Sequence, residues 1–195
     1  MPLLKSLVDA EGRTLRADTP LRPAADCLFQ IQAPRLFKAF SRSGEGALLL
    51  LANLADVDAV EGTWRISDAA GLADGDYAVC SPMTGMVSRL AFDQVMMRRL
   101  KRFGHDLLHI TPVVGGAAVF GLKDKRNGLA SVRDIRRDGP TLSLTARDGG
   151  TLLLWRDAAP KTVTIDDRAA AGRFAGNQLE VDLAEGPRAY RVVIS

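Results

Sequence analysis

The chain has 195 residues, of which 47% are hydrophobic and 25% charged, a composition that can build a sizeable core. No apolar run approaches the ~18 residues of a membrane-spanning helix, so a spanning helix is excluded and no membrane partner is expected. The basic excess is small, 26 Lys and Arg against 23 Asp and Glu for a net charge of +3, and its dense spots carry no interleaved stacking aromatics, so nucleic acid is not an expected partner either.

Residues 1–25 read differently from the rest. Met1-Pro2 reads as a start, and charges at Lys5, Asp9 and Glu11 interrupt the segment before any apolar region of signal length. The expected location is cytoplasmic. Leu3, Leu4, Leu7 and Val8 suit one face of a helical turn or a short strand, and Thr19-Pro20-Leu21-Arg22-Pro23 is a proline-restricted connector.

From residue 26 onward the pattern is one of short strands and turns. Cys27-Leu28-Phe29 is apolar and strand-like. Strands are expected at residues 36–40 and 47–51, with 42–46 as the turn between them. Trp64-Arg65-Ile66 alternates as a strand does, and Asp74-Gly75 turns into a strand at 76–80. Ser81-Pro82-Met83-Thr84-Gly85 turns into a strand at 86–92. Residues 94–102 fit a helix or a strand. Further strands are expected at 106–111, 117–122, 141–145, 151–155, 161–165, 178–183 and 190–194, separated by Gly-rich turns at roughly 8–12-residue spacing. No βαβ alternation occurs, and the expected fold is an all-β antiparallel sandwich.

Few residues offer chemistry. His105 and His109 are the two histidines, and on a strand they share a face with Leu107 between them. No pattern supplies a third metal ligand, so they are weak metal candidates, and neither metal nor other cofactor is expected. Asp56/Asp58, Asp74/Asp76 and Asp166/Asp167 read as turn and surface residues, since adjacency in a turn does not create two carboxyl groups flanking a sugar. Trp64, Tyr77 and Trp155 are candidates for stacking on a pyranose, against the alternative that they fill the core. Cys27 and Cys80 lack metal spacing and read as buried thiols. There is no Gly-X-Ser-X-Gly elbow and no phosphate loop.

Several segments carry a resemblance. Leu3-Leu4-Lys5-Ser6-Leu7-Val8, Gly12-Arg13-Thr14-Leu15-Arg16-Ala17, Arg22-Pro23 and Asp26-Cys27-Leu28-Phe29 resemble the seam between catalytic barrel and C-terminal β-domain in raffinose synthases and the related alkaline, or seed imbibition, α-galactosidases. Residues 106–113, read Asp-Leu-Leu-His-Ile-Thr-Pro-Val, and the later Phe120-Gly121-Leu122, Lys125-Arg126-Asn127-Gly128-Leu129 and Tyr190-Arg191-Val192-Val193-Ile194 are similar to strands of that β-domain. The resemblance implies an N-terminal seam over residues 1–25 and a β-sandwich over 26–195. In that family the catalytic aspartates lie on barrel strands upstream of the seam. No position here matches them, and a barrel needs ~250 residues, so no catalytic residue is carried over. Asn53-Leu54-Ala55-Asp56 stands where plant members have a Gly-rich, Trp-containing stretch.

The expectation is a non-catalytic β-sandwich with a structural or partner-associating role in α-galactoside metabolism. Its expected partner is a second copy of itself or a barrel-containing chain, met through the face lined by residues 1–40. The alternative is a free carbohydrate-binding module that takes an α-galactoside sugar through Trp64, Tyr77 and Trp155. The third reading is an α-galactosidase-type glycosidase.

Overall fold

The computed structural model describes residues 2–28, 35–82, 84–186 and 188–195; Met1, Phe29 and Met83, which the sequence reading used, lie outside them. Strands make up 52% of the chain and helices 7%, so the fold is all-β, and every pairing between named strands is antiparallel. The contacts gather into two compact units. One is Ala17–Pro112, and the other is Val113–Ser195 together with the N-terminal segment through Arg16. The strands read over residues 26–195 are thus shared between two cores.

In the first unit the strands are β1 (Arg22–Pro23), β2 (Phe37–Ser43), β3 (Gly46–Ala52), β4 (Ala59–Trp64), β5 (Asp76–Ser81), β6 (Met86–Ala91), β7 (Met96–Lys101) and β8 (His105–Pro112). They form a six-stranded sheet in the order β1-β2-β3-β8-β5-β6 and a two-stranded sheet β4-β7. Alternation explains the core. Leu49 and Leu51 of β3, Leu108 and Ile110 of β8, and Tyr77 and Val79 of β5 point to one face, where they pack with Val60, Trp64 and Leu100 from β4 and β7. Burial of this set is the main stabilising term, at roughly 25 cal/mol per Å² of apolar surface.

The second unit holds β9 (Ala117–Leu122), β10 (Val132–Asp138), β11 (Thr141–Ala146), β12 (Gly150–Arg156), β13 (Val163–Ile165), β14 (Arg168–Ala169), β15 (Gly172–Ala175), β16 (Gln178–Leu183) and β17 (Tyr190–Ile194). The sheets run β10-β11-β17-β13-β14 and β15-β16-β12-β9. Their inner faces meet in one core that includes Leu122, Leu142, Leu144, Leu152, Leu154, Leu179, Val192 and Ile194. Asp166 and Asp167, both at positive φ (49° and 64°), make the tight turn between β13 and β14. Gly121 beside the β9 bulge has φ +82°, and a Cβ there would come within 1.8 Å of the Gly128 carbonyl oxygen, so only glycine fits.

The N-terminal segment begins with α1 (Pro2–Lys5), whose Leu3 and Leu4 are exposed. It is tied to the second unit by backbone bonds from Arg126 N to Ser6 O (2.9 Å) and from Ala10 N to Arg147 O (3.3 Å).

Cys27, read as strand-like, lies in the 3-10 turn Ala25–Cys27, and three expected strands end differently by more than one residue. β2 runs on through Arg42 and Ser43, leaving Gly44-Glu45 as the turn, because β2 and β3 stay in register to Ser43↔Gly46. β4 stops at Trp64, and Ile66–Asp68 is a 3-10 turn because the Asp68 carboxylate accepts from the Arg65 backbone N–H at 2.8 Å. At 161–165 only Val163–Ile165 is strand, since Lys161 and Thr162 both donate to the Ser195 carbonyl. Residues 94–102, open between helix and strand, contain β7.

Candidate functional site

The five residues singled out from sequence do not come together. Trp64 ends β4, is 4% exposed and belongs to the first unit's core. Tyr77 lies in the same core, tilted against Phe92 at 6.3 Å between ring centroids, and its hydroxyl donates to the Ala73 carbonyl at 2.7 Å. Burial pushes its phenol up from the ordinary value, so it stays protonated. Trp155 is buried in the second unit. The three do not form an exposed aromatic platform. His105 and His109 share one face of β8, but His105 is exposed and His109 is buried beside its cross-strand partners Leu48 and Cys80. Among the described residues no group of three or more His, Cys, Asp or Glu is placed to hold a metal ion.

The site that the first unit does build centres on Lys38. Leu36, just before β2, and Lys38 and Phe40 on it alternate onto the inner face, which buries the lysine's side chain to 5% exposure. A buried ammonium needs acceptors, and two short 3-10 turns supply them. Lys38 Nζ lies 2.7 Å from Asp26 Oδ2, on the turn Ala25–Cys27, and donates to Asp68 Oδ2 at 2.9 Å, on the turn Ile66–Asp68. Burial alone would lower the lysine's pKa. The bonds and charges of Asp26 and Asp68 outweigh that and raise it above its ordinary value, so Lys38 is a fixed cation at neutral pH and not a nucleophile.

These residues line a cleft of about 480 Å³ together with Arg22, Phe40, Trp64 and Arg65, a size typical of small-molecule sites. Its apolar lining includes Trp64 and Phe40, and its polar lining includes Lys38 and the two carboxylates, with exposed Arg22 and Arg65. Beside Lys38, Cys27 Sγ accepts from the Lys38 backbone N–H at 3.3 Å, and burial pushes its thiol up, away from thiolate. The cleft can therefore bind polar groups through fixed charges. Both carboxylates contact one ammonium, where a glycosidase leaves them open toward substrate.

Sequence reasoning missed Lys38, Asp26 and Asp68. The available signal was a lysine inside the apolar run Leu36-Phe37-Lys38-Ala39-Phe40, a position where a charge survives only if paired.

The second unit has its own cleft of about 400 Å³, lined among others by Lys5, Asp9, Asp124, Lys125 and Asp148. Lys125, with its side chain 3% exposed, is fully occupied: its Nζ donates to the Lys5 carbonyl (2.8 Å), the Val8 carbonyl (3.0 Å) and Asp148 Oδ2 (2.6 Å). Its role is to fasten the N-terminal segment.

No protein-family model matches the chain, and no curated protein matches it. Fold and site together define an all-β protein of two compact units, each of which carries a cleft lined by charged side chains. No helix among the described residues is long and apolar enough to cross a membrane.

Proposed function

We propose that this protein is a non-catalytic β-module that acts by binding or association, related to the C-terminal β-domain of raffinose synthase-like α-galactosidases and serving α-galactoside metabolism in the cytoplasm. The observation that carries the reading is the Lys38 site: Asp26 and Asp68 are within 3 Å of one buried, charged ammonium, which favours binding over acid–base work. The exposed Leu3, Leu4 and Leu7 of the N-terminal segment support an associating role with a second copy or a barrel-containing chain, because apolar side chains grouped at a surface favour contact. Sedimentation of the full chain tests this. A concentration-dependent dimer that Leu3→Ser/Leu4→Ser abolishes supports the associating role, and a clean monomer at high concentration removes it.

A second reading, a carbohydrate-binding module, is favoured by one observation: Trp64 and Phe40 line the same cleft as Lys38, Asp26 and Asp68, the mixture of apolar and hydrogen-bonding groups that a sugar ring requires. Of the three aromatic residues singled out from sequence, Trp64 alone lines this cleft, so sugar binding is assigned to it rather than to Tyr77 or Trp155. Calorimetry with galactose, melibiose and raffinose tests it. Saturable heat lost in Asp68→Asn supports the reading, and no heat at millimolar sugar ends it.

A further inference from the structure

The charges lining the Lys38 cleft do not cancel, and the surplus falls on two arginines. Asp26 and Asp68 are both engaged by Lys38, at 2.7 and 2.9 Å from its ammonium. Arg22 and Arg65 line the same cleft and are exposed. Neither forms an ion pair among the described residues. Three cations therefore stand against two acids in the lining.

The fold fixes where both guanidinium groups start. Arg22 lies on β1 in register with Phe40 of β2, so it shares the sheet face that carries Phe40 and Lys38. Arg65 follows Trp64 at the end of β4, and its backbone N–H donates at 2.8 Å to Asp68 Oδ2, the oxygen that also accepts from Lys38. One carboxylate oxygen thus ties the buried lysine and the Arg65 backbone to one turn, while the Arg65 side chain remains exposed. A guanidinium presents a planar fork of N–H donors that matches two oxygens of a carboxylate or phosphate. A concave site of one net sign concentrates ligands of the other, and about 480 Å³ has room for a small sugar. The second unit's cleft has the opposite balance, with Asp9, Asp124, Asp148 and Glu185 against Lys5 and Lys125, so it disfavours the same ligand.

We infer that the Lys38 cleft takes a small acidic ligand, a molecule of sugar size whose carboxylate or phosphate is held by Arg22 and Arg65. The inference rests on the reading of this cleft as a binding site and adds the sign of the charge that it selects.

The test is calorimetry of the full chain at low ionic strength with galactose, galacturonate and galactose 6-phosphate, which place a hydroxyl, a carboxylate and a phosphate at the same end of one sugar. It is run on the wild type and on Arg22→Gln/Arg65→Gln. The expected result is that one or both acids bind on the order of tenfold more tightly than galactose, the scale of a charge-assisted contact, and that the double variant loses this margin. A margin for galacturonate alone identifies a carboxylate ligand, and one for galactose 6-phosphate alone a phosphate ligand. Galactose binding as tightly as both acids overturns the inference and leaves the cleft a binding site for neutral ligands. A margin that persists in the double variant also overturns it, since the acid is then met elsewhere. Saturable heat from none of the three overturns both the inference and the binding reading of this cleft. Should the double variant fail to fold, the salt dependence of the wild type replaces it. Added salt should weaken both charged contacts and so narrow the margin over galactose, and a margin indifferent to salt overturns the inference.

Discussion

Lys38 and Asp68, thirty residues apart in sequence, meet at 2.9 Å across the first unit's cleft. The two acids on that lysine differ in burial, and the difference decides what each contributes. The Asp26 side chain is 60% exposed and that of Asp68 17%. An exposed partner is worth about 0–1 kcal/mol. Asp68 also caps its own turn by accepting from the Arg65 N–H. Asp26→Ala should therefore cost under about 1 kcal/mol, and Asp68→Ala about 2 kcal/mol or more. Urea denaturation of both variants reads this directly, and equal losses would contradict the uneven burial.

The raised pKa of Lys38 fixes the sign of a pH effect. A cation whose folded pKa lies above its unfolded value contributes stability that is complete below the unfolded value, here 10.5, and is lost as pH rises through the folded one. The stability gap between the wild type and Lys38→Met should be flat through neutral pH and close in the alkaline range above about pH 10.5. Cys27, whose thiol is also raised, sheds stability in the same direction as pH rises, so both proteins should carry Cys27→Ala. A gap that closes below pH 9 would contradict the assignment of Lys38 as a fixed cation.

Asp106 is completely buried between Ser81, whose Oγ donates to it at 2.9 Å, and the Arg98 guanidinium. Arg98→Met leaves that carboxylate without a counter-charge and should cost about 3–5 kcal/mol. Ser81→Ala removes a single hydrogen bond to it and should cost about 1.5–3 kcal/mol. Chemical denaturation at pH 7 should rank the two in that order.

Much of this architecture was legible in the sequence. Strict alternation in Thr141-Leu142-Ser143-Leu144-Thr145 marked β11, and turn pairs such as Asp74-Gly75 and Gly115-Gly116 marked strand boundaries, because glycines at positive φ leave a local signature. The division into two cores was not legible. It depends on contacts such as Lys125 to the Lys5 carbonyl, 120 residues apart, which no local pattern encodes. Ala59–Trp64 was missed for a related reason: Gly62 stands where alternation calls for an apolar side chain between Val60 and Trp64, and the strand is specified by its pairing with β7. Of the site, Trp64 was found as an aromatic, whereas Asp26, Lys38 and Asp68 form no sequence motif and converge through two 3-10 turns.

Lys125 offers a test of the second unit's organisation. Lys125→Met frees the Lys5 and Val8 carbonyls together and should loosen residues 2–16 without melting the β9–β17 sheets, since local opening follows local bonding. Limited proteolysis should cut this segment roughly tenfold faster or more than in the wild type, the scale of one lost charge-assisted bond, with the remainder of the unit still protected. Unchanged cleavage would mean that Arg126 N and Ala10 N suffice to hold the segment.

The central claim is that the Lys38 site binds and does not turn over. The most direct measurement is hydrolysis of a chromogenic α-galactoside by the purified full chain at neutral and alkaline pH, beside Lys38→Met, which releases Asp26 and Asp68 from their shared ammonium. No release of chromophore above the uncatalysed rate by either protein is the predicted result. Clear turnover by the wild type, lost in Asp26→Asn or Asp68→Asn, would contradict the account and make the two carboxylates a catalytic pair.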